Sequence, residues 1–174
     1  MPRITLVRVL VPAMALLAAC DSTSSEGRIE LRDNCDPATF NAALGAGSCL
    51  HASSGTGTTF AAFNAELNGT RSVSAWSIFP PSMSIREGTT LPVMNTGGEE
   101  HTYTEVEAFG GGVVPALNTA SGNTTVAPEC ADQAEFNASV IRSGQTMQHT
   151  FDEEGTEKYQ CCIHPWMRQT VTVH

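Results

Sequence analysis

Apolar positions along this 174-residue chain follow three rhythms in turn. The first is an unbroken apolar run from Leu10 to Ala19, preceded by Arg3 and Arg8. It is too short to span a bilayer as a mature helix and predicts an export signal over residues 1–19. Residues 20–34 are rich in Ser, Asp and Glu and predict a flexible tether. Helical spacing takes over in residues 35–71. Asp36 and Pro37 open a short helix through Leu44, with an Asp cap and Pro at its first position. Thr58 or Thr59 caps a second helix, in which Phe60, Phe63 and Leu67 form an apolar stripe. From residue 72 onward two-residue alternation dominates. It predicts short strands over 72–79, 82–86, 89–95, 102–108, 136–141, 145–151, 158–161 and 170–173. Residues 109–135, with Gly110-Gly111-Gly112, Pro115 and Pro128, predict a long loop, and no internal repeat is visible. The expected fold class is therefore all-β: an antiparallel β-sandwich over 72–174 with a small N-terminal helical extension.

Charge narrows the partners. The formal charge is −9, and removing residues 1–19 takes away two Arg and no acids, leaving 7 − 18 = −11. Lys158 is the only lysine. Such a surface argues against nucleic acid and against electrostatic binding of anionic headgroups. It suits a cationic protein partner such as a basic cytochrome, and it also serves simple solvation. The roughly 155 residues that remain suffice for one core, expected as a monomer.

The segment Leu17-Ala18-Ala19-Cys20 resembles the lipobox of bacterial lipoproteins. That resemblance implies lipidation of Cys20 and anchoring through the N-terminal lipid to a bacterial membrane, facing the periplasm or cell surface. The alternative is ordinary cleavage near Ala19, leaving Cys20 as a thiol. Export places the chain in an oxidising compartment. With Cys20 taken by lipid and one of Cys161 and Cys162 by a metal, four cysteines remain, enough for two disulfides. Cys35 with Cys49 would close a loop of about 15 residues, contributing roughly 3 kcal/mol in the chain-entropy model. Cys130 and Cys162 then remain as the second pair, with other pairings open.

The candidate chemistry sits in Cys161-Cys162-Ile163-His164-Pro165-Trp166-Met167 and in His101, which follows the turn-like Asn95-Thr96-Gly97-Gly98. One thiolate, two imidazoles and a thioether are the donor set of a mononuclear copper centre with a weak axial sulfur. A structural zinc site gains little from a thioether. One Cu(I)/Cu(II) ion is therefore the expected cofactor, and single-electron transfer the expected activity, with no substrate bonds made or broken.

Gly155 to Val173 resembles the last hairpin of the cupredoxin (plastocyanin/azurin-like) family, with an amicyanin-like Cys-x2-His-x2-Met ligand loop. Ile85 to Thr102 similarly resembles the strand and turn that present the family's first histidine. The resemblance covers roughly residues 72–104 and 136–174. It implies a Greek-key β-sandwich, with His101, Cys161 and His164 as equatorial ligands and Met167 as the axial one. It also implies electron exchange with a redox partner protein such as a cytochrome or a copper or respiratory enzyme. The chain departs from the family at Thr102, Cys162 and Gln169, and in the 109–135 insertion.

Other arrangements compete. Cys161 and Cys162 could form a vicinal disulfide without metal, but that leaves the His and Met spacing unexplained. Consecutive strand residues face opposite sides, so a Cys161 that faces the metal sends Cys162 away from it. A copper chaperone or sequestration lipoprotein could use the same ligands, and a purely structural sandwich would bind no copper. His51, His149 and His174 are expected to be structural or solvated, Met83 and Met94 core, and Glu99 and Glu100 a solvated turn. Trp166 is expected to shield the ligand loop or to sit beside His164 as a docking contact.

Overall fold

The computed structural model describes residues 27–174. The expected export signal and the Cys20 lipidation site lie outside them. Among the described residues no helix is long and apolar enough to cross a membrane.

Chain order is β1 (Ile29–Arg32), α1 (Pro37–Leu44), α2 (Phe60–Thr70), β2 (Ser77–Phe79), β3 (Ser82–Ile85) and β4 (Thr89–Asn95). There follow β5 (His101–Thr102), β6 (Thr104–Glu105), α3 (Pro115–Ser121), α4 (Pro128–Ala131) and α5 (Gln133–Ser139). The chain ends with β7 (Val140–Ile141), β8 (Thr146–Phe151), β9 (Gly155–Gln160) and β10 (Arg168–Val173). One sheet has the order β2-β1-β4-β8 and the other β3-β10-β9-β6, with β5 and β7 forming a separate ribbon. Ile29, Leu31, Ile78, Val93 and Phe151 from the first sheet share one buried core with Tyr159, Val171 and Val173 from the second. The architecture is a β-sandwich carrying several helices.

The sheets are mixed, which corrects the expected antiparallel arrangement. β1 runs parallel to β4, and β3 runs parallel to β10. Alternating hydrophobicity reports which face a strand buries, not the direction of its neighbour. Parallel neighbours need a long crossover, and the chain between β1 and β4 supplies one through α1 and α2.

A second correction concerns the tether expected over 20–34. Residues 29–32 form β1, an internal strand of the first sheet. Ile29 and Leu31 point into the core, while Glu30 is paired by Arg28 and Arg32 on the other face. Complete burial of two such side chains contributes about 1.5–3 kcal/mol each. The charges that suggested solvated chain occupy one side of a strand.

The 109–135 segment is not a plain loop, because α3, α4 and the start of α5 fall within it. Proline opens α3 and α4, and Asp132 caps α5 by accepting from the Ala134 and Glu135 amides. Phe136 lies in α5, so the strand expected from 136 shrinks to Val140–Ile141. The strand expected over 72–79 likewise begins only at Ser77. The N-terminal helices take the caps their sequences call for. Asp36 accepts from the Ala38 and Thr39 amides, and Thr59 from the Ala62 amide. Phe40, Phe63 and Leu67 are buried, and the Cys35–Cys49 disulfide closes this segment.

Candidate metal centre

β9 delivers Cys161 immediately past its end, and β10 begins at Arg168, so residues 161–167 form the turn between two paired strands. The Cys161 amide donates to the Met167 carbonyl at 3.0 Å, and the Met167 amide to the His164 carbonyl at 2.9 Å. Inside this turn the His164 amide points at the Cys161 Sγ, 3.5 Å away. The Thr102 amide does the same from β5 at 3.4 Å. Two backbone N–H groups therefore face the sulfur before any side chain is considered.

His101 opens β5 and is held by its pairing with Ile141. Its Nδ1 lies 3.8 Å from the Cys161 Sγ, and the His164 Nδ1 lies 3.9 Å from the same atom. One ligand atom from each of the three residues lies within 4.8 Å of the other two, and all three side chains are buried. Burial pushes the Cys161 thiol up, but the imidazoles of His101 and His164 outweigh it and hold the thiol well below its ordinary value. The thiolate that results is the form that ligates metals. Burial also opposes charge on His101, yet the Asp33 carboxylate and the Cys161 sulfur raise that imidazole to about 10.

Cys161 is the only free cysteine among the described residues. Cys162 points away and forms a disulfide with Cys130, as Cys35 does with Cys49. The vicinal Cys161–Cys162 disulfide is thereby ruled out. Met167 is buried in the main core beside the turn.

Two carboxylates outside the expected ligand set stand behind the imidazoles. Asp33 Oδ2 lies 2.9 Å from His101 Nε2, with both side chains inaccessible to solvent. Asp33 also accepts from the Cys35, Gly98 and Glu99 amides. Burial pushes this acid up, but the His101 imidazole and the amides bring it down to about 2. Glu99, expected in a solvated turn, is buried instead: its Oε2 accepts from Trp76 Nε1 at 2.6 Å and lies 3.5 Å from His164 Nε2. Glu100 is exposed and pairs with Arg142. Period-two reasoning could have found Asp33, because positions 29, 31 and 33 share one strand face and a buried acid needs a partner.

The Gly97-Gly98 turn makes this approach possible. A Cβ at Gly97 would overlap the Asp33 carboxylate, and one at Gly98 the His51 carbonyl. At the departures noted in sequence, Thr102 Oγ1 accepts from the Cys162 amide at 2.7 Å, and Gln169 bridges the Tyr103 hydroxyl and the Pro80 carbonyl. Trp166 packs edge-on to His164, with ring centroids 5.5 Å apart, and also against Phe63. Phe40, Phe60, Phe63, Leu117 and Ile163 line a cavity of about 310 Å³ that reaches Glu99 and His164. The remaining histidines are not drawn into the cluster. His149 bonds Tyr159, His51 faces Ser143 and His174 faces Ser84.

No protein-family model matches the chain, and no curated protein does. Among solved structures it is similar to a purple cupredoxin from Nitrosopumilus maritimus at 24% identity, covering 62% of this chain and 93% of that one, with a TM-score of 0.38. It is similar to a reduced tryptophan-to-tyrosine variant of amicyanin at 20% identity, covering 59% of this chain and 78% of that one, with a TM-score of 0.38. A Cu(I) methionine-to-alanine variant of amicyanin matches at 20% identity, covering 56% of this chain and 73% of that one, with a TM-score of 0.37. Likenesses of this size transfer no residue role to the present chain.

Proposed function

We propose that this chain is a type 1 copper protein, an exported single-electron carrier held at a bacterial membrane through a lipid on Cys20. The observation that carries the reading is the convergence of one free buried cysteine sulfur with two imidazole Nδ1 atoms, when every other cysteine among the described residues is in a disulfide. Structural zinc takes four strong N, S or O donors. Here the nearby carboxylates of Asp33 and Glu99 face the Nε2 edges of the imidazoles. The remaining candidate donor is the Met167 thioether, which suits copper as a weak axial group.

His101, Cys161 and His164 would hold the ion, with the Met167 thioether as a weaker fourth donor. Copper bound there supplies a one-electron Cu(I)/Cu(II) couple. The protein's part is to keep the donors still. Cys161 and His164 are tied by the turn, His101 by its strand partner, and burial excludes water that would add ligands to Cu(II). No substrate bond changes in this scheme. The acidic surface favours a basic redox partner, such as a cytochrome.

Copper sequestration or chaperoning is the second reading. Chaperones exchange their ion with an acceptor, which an accessible site assists. Here His101 and Cys161 are fully buried and His164 is 4% exposed, which favours electron transfer. The deciding experiment is an optical and electron-paramagnetic-resonance spectrum of the copper-loaded protein. A strong visible thiolate-to-copper band, lost in Cys161→Ser, is the expected result. A colourless Cu(II) form with ordinary hyperfine splitting overturns the reading.

A further inference from the structure

Each candidate ligand imidazole is backed by a buried carboxylate, and the two acids are linked. Glu99 donates its amide N–H to Asp33 Oδ2 at 3.0 Å, the same oxygen that meets His101. Trp76 Nε1 donates to Glu99 Oε2, the oxygen that also lies 3.5 Å from His164 Nε2. An ionised carboxylate only accepts hydrogen bonds, so the His101 Nε2 that meets Asp33 at 2.9 Å carries hydrogen, and it is Nδ1 that would give up its proton and offer its lone pair to an ion. Both Nδ1 atoms are the ones that face the Cys161 sulfur.

The charges then decide a preference. A thiolate with Cu(II) sums to +1 and with Cu(I) to zero. Negative charge close by, on side chains that are almost fully buried, favours the more positive state, because burial weakens dielectric screening. Asp33 stands in the stronger position, with three backbone amides and an imidazole directed at its carboxylate, whereas burial pushes the Glu99 acid above its ordinary value.

We propose that Asp33 and Glu99 are positioning residues that lock His101 and His164 with Nδ1 toward Cys161, and that their negative charge, chiefly that of Asp33, biases bound copper toward Cu(II). The site is then a low-potential centre built to give electrons away. This rests on the copper reading above.

The test loads the full chain and its Asp33→Asn and Glu99→Gln variants with copper and reads the midpoint potential from the visible band. Asn and Gln keep an oxygen that accepts from Nε2–H and remove the charge. Asp33→Asn should shift the preference toward Cu(I) on the order of tenfold, which is 59 mV for a one-electron couple. Glu99→Gln should shift it the same way by less, with the band position kept in both. A readout independent of redox chemistry uses Zn(II). Asp33→Ala should weaken Zn(II) binding by about 10- to 100-fold and abolish the slowly exchanging Nε2–H proton of His101 in the NMR spectrum of the Zn(II)-loaded protein. Unchanged potentials in variants that keep the band overturn this proposal and leave the electron-carrier reading standing. Absence of the band from the unaltered protein overturns both. Should Asp33→Asn fail to fold, the Glu99→Gln potential decides.

Discussion

Asp33 and His101 stand 68 positions apart in the chain and meet at 2.9 Å inside the protein. The contact joins the end of β1 to the start of β5, tying a structural strand directly to a candidate ligand. Because Asp33 also accepts three backbone amides, its carboxylate organises the turn before His101 as well as the imidazole.

Replacing Asp33 by Ala strands those donors in the interior. Breaking one side of a buried pair costs about 3–5 kcal/mol. Urea unfolding of metal-free Asp33→Ala should show a loss of that size, with a smaller loss for Asp33→Asn. A loss under 1 kcal/mol would mean that the contact carries little of the fold.

Gly97→Ala is expected to disrupt the same junction by sterics alone, since its Cβ would occupy the space of the Asp33 carboxylate. The neighbouring strand and the disulfide-closed segment leave the acid little room to retreat. Reduced stability together with a weakened copper band is the expected outcome. An exposed control, Gly69→Ala, meets nothing within 4 Å and sits inside α2, so it should be neutral or slightly stabilising.

The Cys130–Cys162 disulfide spans 32 positions and staples α4 to the residue next to the candidate thiolate. In the chain-entropy model a loop of that length contributes about 4 kcal/mol. Cys130→Ser should lower Tm accordingly and leave Cys162 as a second thiol beside Cys161. Thiol titration of the unfolded metal-free protein should then count one more reactive group than in the parent.

His149 supplies a pH dependence away from the metal centre. Its ring meets Phe151, Tyr103 and Tyr159 edge-on and bonds the Tyr159 hydroxyl, which in turn donates to Glu157. Burial lowers its pKa below the usual 6.5, against the opposing pull of Asp152. As pH falls through 6.5 the unfolded chain takes up a proton that the folded chain still refuses. Stability contributed by neutral His149 is therefore present above pH 6.5 and declines below it. Urea midpoints of the parent should fall between pH 7 and 5 more than those of His149→Gln. Equal slopes would remove His149 from the acid limb.

The helix caps at Asp36 and Thr59, the stripe of Phe63 and Leu67, and the strands flanking the ligand turn were legible because each is a local signal. The short spacing among Cys161, His164 and Met167 needs only one turn of chain, so those residues announce themselves together. The parallel placement of β1 beside β4 was not legible, nor were the helices over residues 115–139 or the burial of Glu99.

Residue order by itself determined the donor chemistry and the faces each strand buries, since side-chain type and two-residue periodicity are properties of neighbouring positions. Only the tertiary structure decided that Asp33 reaches His101 and that Glu99 joins Trp76 to His164. Those contacts arise where distant strands are brought into one sealed core. There an acid must find an N–H donor or lose its charge, and nothing local to either partner encodes which donor it meets.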